Sequence, residues 1–495
     1  MQTLESLRFH NTFARLPEGF HHPVDPDPVG RPYLVHFNPA AAGLIDLDPR
    51  EARRPDFAEH FGGARLPAGA EPIAALYAGH QFGHYVPQLG DGRALLLGEV
   101  VNGRGERWDV QLKGGGRTPY SRDGDGRAVL RSSIREYLAS EALHGLGIPT
   151  TRALCLVGTD DEVYREQIET GATLVRLAPS HVRFGSFEVH YHRGRFDALR
   201  ALADHVIGHH FPELEGEPDR YPRLLGTVIE RTAELIARWQ LAGFAHGVMN
   251  TDNMSVLGLT LDYGPYGFLD AYDPGFTCNH SDHWGRYAFD RQPAIGLWNL
   301  GCLAQAFLPL IDADAPEAAA ERARALLEAY QPAFYRHYGN GMQAKLGLRE
   351  LRREDAELSA GLLRLMAAAG ADYTLTFREL SDVRGSDTDR HPKVRDRFAD
   401  RAAFDAWLAG YRARLRAEAV GDSARRAAME AVNPLYVLRN HLAQYAIERA
   451  RTGDFAEIDR LMAVLADPWT ERPGLEAYAA PPPVGAPQVV VSCSS

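Results

Sequence analysis

The spacing of apolar positions changes character along this chain. Between about residues 71 and 185 they fall in short blocks, ALLLGEV, RWDVQLK, RALCLVGT and ATLVRLA, separated by Gly-rich turns, and each block predicts a strand. One longer stretch interrupts them. RAVLRSSIREYLASEALHGLG repeats its apolar residues at helical spacing and is closed by Gly145 and Gly147. From about 220 to 345 helical periodicity takes over. RLLGTVIERTAELIARWQLAGF predicts a helix over about 223–243, and PAIGLWNLGCLAQAFLPL predicts another. Residues 346 to about 465 stay helical and rich in Arg, Glu, Ala and Leu, with the pattern of an ordinary solvated face. A Pro-rich segment, AYAAPPPVGAP, then leads to the terminal VVVSCSS. Residues 1–70, rich in Pro, His and Asp, predict an irregular leader with short elements. The expected fold class is α+β. A β-rich lobe with one helix (71–185) and a larger helical lobe (186–345) flank a cleft, followed by a helical extension and tail (346–495).

Composition narrows the function classes. The 495 residues are 45% hydrophobic and 24% charged, enough to bury a sizeable core and unlike a disordered or collagen-like chain. No continuous run approaches the roughly 20 apolar residues that span a bilayer, and the first residues lack a basic start followed by an apolar block. Four cysteines are too few for a secreted disulfide scaffold, so a cytoplasmic protein with no membrane partner is expected. A net charge of −11 argues against a general nucleic-acid binder. Only three of the 54 basic residues are lysine, namely Lys113, Lys345 and Lys393. Codon bias explains most of that. A lysine kept in such a chain still marks a place where a compact ammonium serves better than a planar guanidinium.

Three segments carry candidate chemistry. QLGDGRALLLGE places Gly90 and Gly92 around Asp91, with Arg93 alongside. Taken alone it predicts a hairpin turn, and its bare backbone also suits approach to phosphates. In VQLKGGGRTPYSRDGDGRAVLRSSIREYL, Lys113 ends a strand and a Gly-rich polar segment leads into the helix carrying Glu136. An acidic residue there can fix the lysine on a nucleotide phosphate. Glu141 lies on the Ile134/Leu138 stripe of the same helix, so spacing alone does not choose between the two acids. The third segment, HGVMNTDNMSVLGLTLDYGPYGFLD, follows the long helix with a loop carrying Asp252 and Asn253, then Asp262-Tyr263-Gly264. Protein kinases have this order of helix, catalytic loop and D-F-G. Asn253 and Asp262 fall where metal-binding residues stand, and hard oxygen donors beside phosphates suit Mg²⁺. Val248 occupies the position of the kinase base and cannot accept a proton; the nearest carboxylate is Asp252.

With these segments in order, the sequence resembles the selenoprotein O family, also called YdiU, of pseudokinase-fold protein adenylyltransferases. The carrying motifs are YAGHQFGHYVPQLGDGRA, QLKGGGRTPYSRDGDGRAVLRSSIREYL, LVRLAPSHVRFGSFE, HGVMNTDNMSVLGLTLDYGPYGFLDAYDP and the terminal SCSS. The match runs over about residues 70–300, with scattered motifs beyond, such as NPLYVLRNHLAQYAIERA. The resemblance implies a two-lobed protein-kinase-like fold that binds ATP in reversed orientation. AMP is then transferred to Ser, Thr or Tyr hydroxyls of protein substrates, and pyrophosphate leaves. Carried over residue by residue, Asp252 is the base, and Asn253 and Asp262 bind the metal. Lys113, paired with Glu136, holds phosphate. Gly90, Gly92, Arg93, Asp125, Gly126, Arg176 and Arg183 line the nucleotide site together with Asp262. The resemblance also admits UMP transfer from UTP and Mn²⁺ beside Mg²⁺. Cys493 stands third from the end, where some eukaryotic members carry selenocysteine, which suggests a regulatory disulfide between Cys278 and Cys493. A monomer is the default expectation.

Two rival readings remain at this stage. One is an ordinary γ-phosphoryl-transferring kinase, against which Val248 counts. The other is a catalytically silent nucleotide-binding scaffold, against which the Asn253/Asp262 pair counts. Cys278, His280, Asp282 and His283 have the residue types of a zinc site, but loop clusters of this kind more often face solvent. His21, His22, His190 and His192 are likewise read as surface histidines.

Overall fold

The computed structural model describes residues 1–495 except 351, 387–391, 419, 487–488 and 493–495. Its fold is α+β. An eight-stranded sheet, with each strand antiparallel to its neighbours, occupies the first 180 residues, and helices make up most of the rest. From edge to edge the strands are His21–Pro23, Ile73–Ala75, Ala94–Val101, Arg107–Lys113, Ile168–Ala178, Arg152–Tyr164 and Tyr33–Phe37; Ala128–Val129 also pairs with Ile168–Ala178. Both edge strands come from residues 1–70. The leader is thus integrated into the sheet, and it adds the short helices Pro39–Ala42 and Phe57–Phe61.

The predicted strands read as nearly continuous apolar runs because both faces of the sheet are covered. Leu97, Val157 and Val175 point to one side, where Leu4, Ile45, Phe57 and Phe61 of the leader pack on them. Their neighbours Leu96, Leu156 and Leu174 point to the other side, onto Ile134, Leu138 and Ala142 of the Leu130–Gly145 helix. That helix is buried almost all round, because Asn440–Ala450 and Ala456–Ala466 return from the C-terminal part to cover its far side. A side chain at Gly145 would place its Cβ 1.9 Å from the carbonyl oxygen of Leu465, so the close approach requires glycine. Polar residues on this helix are buried with partners. Glu141 takes a bidentate bond from Arg152 (2.8 Å and 2.8 Å), and Arg135 donates to the Tyr266 carbonyl (2.9 Å).

The long predicted helix spans Arg220–Ala242 and ends at Gly243 with φ 69°, the left-handed conformation glycine adopts without strain. It packs on Gln292–Ile311 and Tyr330–Lys345. The segment Phe289–Ile311 is long and apolar enough by composition to cross a membrane. Polar residues such as Asn299 break its apolar run, and it buries Ile295, Leu300, Leu303 and Phe307 in the protein core. A separate apolar core joins Leu362, Met366, Phe377, Phe404, Leu408 and Tyr411 of the later helices.

Two expectations need correction. The Gly90-Asp91-Gly92 segment does not turn a hairpin, because the strand before it, His84–Val86, pairs with Gly79–Gln81. Instead Asp91 N donates to Ala75 O at 2.9 Å and Asp91 Oδ2 accepts from Ala75 N at 3.2 Å, clamping the segment to the end of the Ile73–Ala75 strand. His190 is not on the surface. It is buried beneath Phe20, with ring centroids 4.3 Å apart.

Candidate active site

Strand register builds the first half of the site. Gln111 and Lys113 alternate with buried apolar residues along Arg107–Lys113, so both side chains share one face. Arg176 lies directly opposite Gln111 on the next strand and joins them there. The Leu130–Gly145 helix packs on this face and presents Glu136. Lys113 Nζ donates to Glu136 Oε2 at 2.5 Å, and Arg176 Nη1 donates to Glu136 Oε1 at 2.9 Å. The choice between the two acids is thereby decided, since Glu141 is occupied by Arg152. Burial draws the ammonium of Lys113 down to about 8, and Glu136 opposes that pull.

The second half comes from the loop after Arg220–Ala242. Thr251–Asn253 forms a single 3₁₀ turn, and Asp262 follows with φ 58°, an uncommon conformation for a residue other than glycine. Two guanidiniums hold Asp262 in place. Arg176 donates to its Oδ1 and Arg183 to its Oδ2. Lys113 Nζ stands 3.9 Å from Oδ1. Burial pushes the Asp262 carboxyl up, but Arg183, Arg176 and Lys113 outweigh it and hold the group well below the usual carboxylate range. Arg183 also donates to the backbone carbonyl of Asp252 at 2.7 Å, joining the two aspartates.

Asp252 has the opposite character. It is buried and accepts from the Gln81 side-chain amide at 3.1 Å through Oδ2, while Oδ1 has no hydrogen-bond partner among the described residues. Burial pushes its carboxyl up to about 7 against the lowering effects of Gln81 and Arg183. The strand carrying Gln81 lies so close that a Cβ at Gly79 would sit 2.7 Å from Asp252 Oδ1. Two carboxylates ten residues apart in sequence thus differ in character, one held well below the usual carboxylate range and one pushed up towards neutrality.

These parts surround a cleft of about 710 Å³. Gly90, Gly92, Arg93, Lys113, Asp125, Gly126, Arg176, Asp252, Asn253 and Asp262 all line it. Glu136 and Arg183 stand behind the lining and act on it through Lys113, Arg176 and Asp262. Asp125 binds Arg165 (2.7 Å and 3.0 Å) and the backbone N–H of Arg127 (2.9 Å), which holds the Gly-rich segment and gathers arginines at the cleft wall. Val248 lines the cleft as well. Sequence reasoning missed Gln81, Arg117, Arg122, Arg165 and Asn250, which also line the cleft, and Gln111, which accepts from Arg176 behind it. Gln81 falls inside the YAGHQFGHY motif, but no spacing rule ties it to a loop 171 residues away.

The donor set fits a hard divalent cation. Asp262 is held ionised, and Asn253 gives its amide nitrogen to Val248 O at 3.0 Å, leaving its carbonyl oxygen as the end suited to a metal. Cys278 is buried, with Sγ 2.8 Å from Pro265 O. Cys493 lies outside the described residues. Val491, earlier in the tail, bridges to Asn279 and accepts from His280 N at 2.9 Å.

Comparison with known proteins accords with this geometry. The family described as protein adenylyltransferase SelO matches residues 3–466. Over the full length of both chains, the sequence is 59% identical to the protein nucleotidyltransferase YdiU of Myxococcus xanthus. It is equally similar, at 59%, to the protein of that name from Thioalkalivibrio sulfidiphilus, and 56% identical to the one from Thiobacillus denitrificans. A match over nearly the whole chain, together with full-length relatives at this identity, establishes that the chain belongs to the protein adenylyltransferase SelO family.

Proposed function

We propose that this protein transfers AMP from ATP to hydroxyl side chains of other proteins, with Asp252 as the proton acceptor. The observation that carries the reading is the contrast between the two aspartates: Asp262 ionised beneath two arginines, Asp252 buried and poised near pH 7. A general base works best with a pKa near the operating pH. In the step, the acceptor oxygen forms a bond to the α-phosphorus and the bond from that phosphorus to the bridging oxygen breaks. Pyrophosphate leaves with that electron pair, and the hydroxyl proton passes to Asp252. Lys113, Arg93 and Arg176 neutralise the polyphosphate, and a guanidinium adds two-pronged recognition of its oxygens. Asn253 and Asp262 would hold Mg²⁺ or Mn²⁺, which when bound supplies further charge neutralisation at the phosphates. UTP serves as an alternative donor in the same cleft, with UMP transferred.

The reading extends to architecture. Residues 71–185 and 186–345 act as the two lobes of a kinase-like fold, with residues 1–70 bracing the sheet and 346–495 bracing the Glu136 helix. We place the protein in the cytoplasm as a monomer acting on protein substrates, without nucleic acid or membrane. Pairing of Cys278 with Cys493 would gate the cleft; the docking of Val491 beside Asn279 supports it. Incubation with ATP labelled at the α-phosphate, with Asp252→Asn as control, tests the proposal.

A further inference from the structure

Beside the catalytic loop, three ligating side chains converge that the transfer reaction does not use. Glu188 and His192 lie four residues apart on the Phe184–His192 helix, hence on one face. His80 reaches them from the Gly79–Gln81 strand. One ligand atom from each lies within 4.8 Å of the other two. Glu188 is fully buried; its Oε2 bonds His80 Nδ1 at 2.6 Å, but its Oε1 has no hydrogen-bond partner among the described residues. A buried carboxylate oxygen without a partner is costly, and a cation supplies the missing interaction. His192 is exposed and gives an ion a route in from solvent.

We propose that His80, Glu188 and His192 form a transition-metal site, separate from the nucleotide cleft, for Zn²⁺ or a similar first-row divalent ion. Two imidazoles and one carboxylate are the donors such ions take, with a fourth position left to water. Mg²⁺ prefers oxygen donors, so ligand chemistry sorts the two ions between this trio and the Asn253/Asp262 pair. The site also reaches the catalytic loop. The backbone N–H of His80 donates to Thr251 Oγ1 at 2.7 Å, and the next residue, Gln81, holds Asp252. A bound ion fastens the strand that carries Gln81 to the helix that carries Glu188.

The site is tested on the full chain, stripped of metal and kept in excess Mg²⁺, by calorimetric titration with ZnCl₂ and by thermal melting with and without Zn²⁺. The expected result is saturable binding of one ion per chain and a rise in Tm. His192→Ala, a change at an exposed position, should weaken binding by about tenfold or more and abolish the Tm rise. Asp262→Asn should leave both intact. Absence of saturable binding, wild-type binding by His192→Ala, or loss of binding in Asp262→Asn instead would overturn the assignment.

Discussion

The side-chain amide of Gln81 donates to Asp252 Oδ2 at 3.1 Å, across 171 residues of sequence. This bond favours the ionised carboxylate in a pocket whose burial disfavours it. Asp252 must be ionised to accept a proton, so kcat should rise with pH through about 7 and level off above it. Gln81→Ala removes a contact to the charged form and should move this acid limb to higher pH, with little change in nucleotide affinity. A pH profile of kcat for both proteins checks this; coincident profiles would count against Gln81 as the group that positions Asp252.

Replacing Asp252 itself separates chemistry from binding. Asp252→Asn should lower kcat by about 10²- to 10⁴-fold, the usual cost of losing a general base. Equilibrium binding of ATP should stay near the wild-type value. Full turnover in this variant would remove Asp252 from the mechanism.

Asp262 neutralises Arg176 and Arg183, both almost fully buried. Asp262→Ala should therefore abolish metal-dependent turnover and also destabilise the fold. Leaving buried charge without its partner costs about 3 kcal/mol. Urea unfolding measures that loss independently of activity. An unchanged midpoint would show that the ion pairs drawn here do not hold the loop.

Lys113 and Glu136 should fail together. Lys113→Ala removes the ammonium from the phosphate wall, and Glu136→Gln weakens the hold on both Lys113 and Arg176. Each should reduce kcat/KM by about 10²-fold or more, in line with the loss of one preorganised charge-stabilising donor. Lys113→Arg should not rescue, because a planar fork cannot occupy the place of a point charge wedged against Arg176. Wild-type activity in Lys113→Ala would contradict the placement of the nucleotide.

Oxidation offers a separate test of the tail. Peptide mapping after oxidising and reducing incubation should recover a Cys278–Cys493 linked peptide only from the oxidised protein, with lower activity in that form. Activity indifferent to reductant, with no linked peptide, would sink the gate and leave the transferase reading standing.

Much of this site was legible in the order of residues, because the chemistry clusters in three short segments. Lys113 at a strand end and Asp252, Asn253 and Asp262 after a long helix are local signals. What the sequence could not decide was set by packing between distant segments. Glu136 and Glu141 share one helix, and only the neighbouring Lys113 and Arg152 distinguish them. Gly90-Asp91-Gly92 has the composition of a hairpin turn, yet the bond from Asp91 to Ala75 ties it to a strand already passed. The leader gave no clear strand pattern, because its edge strands are only three and five residues long. His190 stands three residues after Phe187 on the same helix, a spacing that allowed burial, but only the packing of Phe20 from the leader shows it.

The most direct test of the central claim is the mass added to a protein substrate, or to the enzyme itself, after incubation with ATP labelled separately at the α- and γ-phosphates. The expected result is a mass increase of one AMP, carrying the α-label, absent from Asp252→Asn. A mass increase of one phosphate, carrying the γ-label, would contradict it and identify the protein as an ordinary kinase.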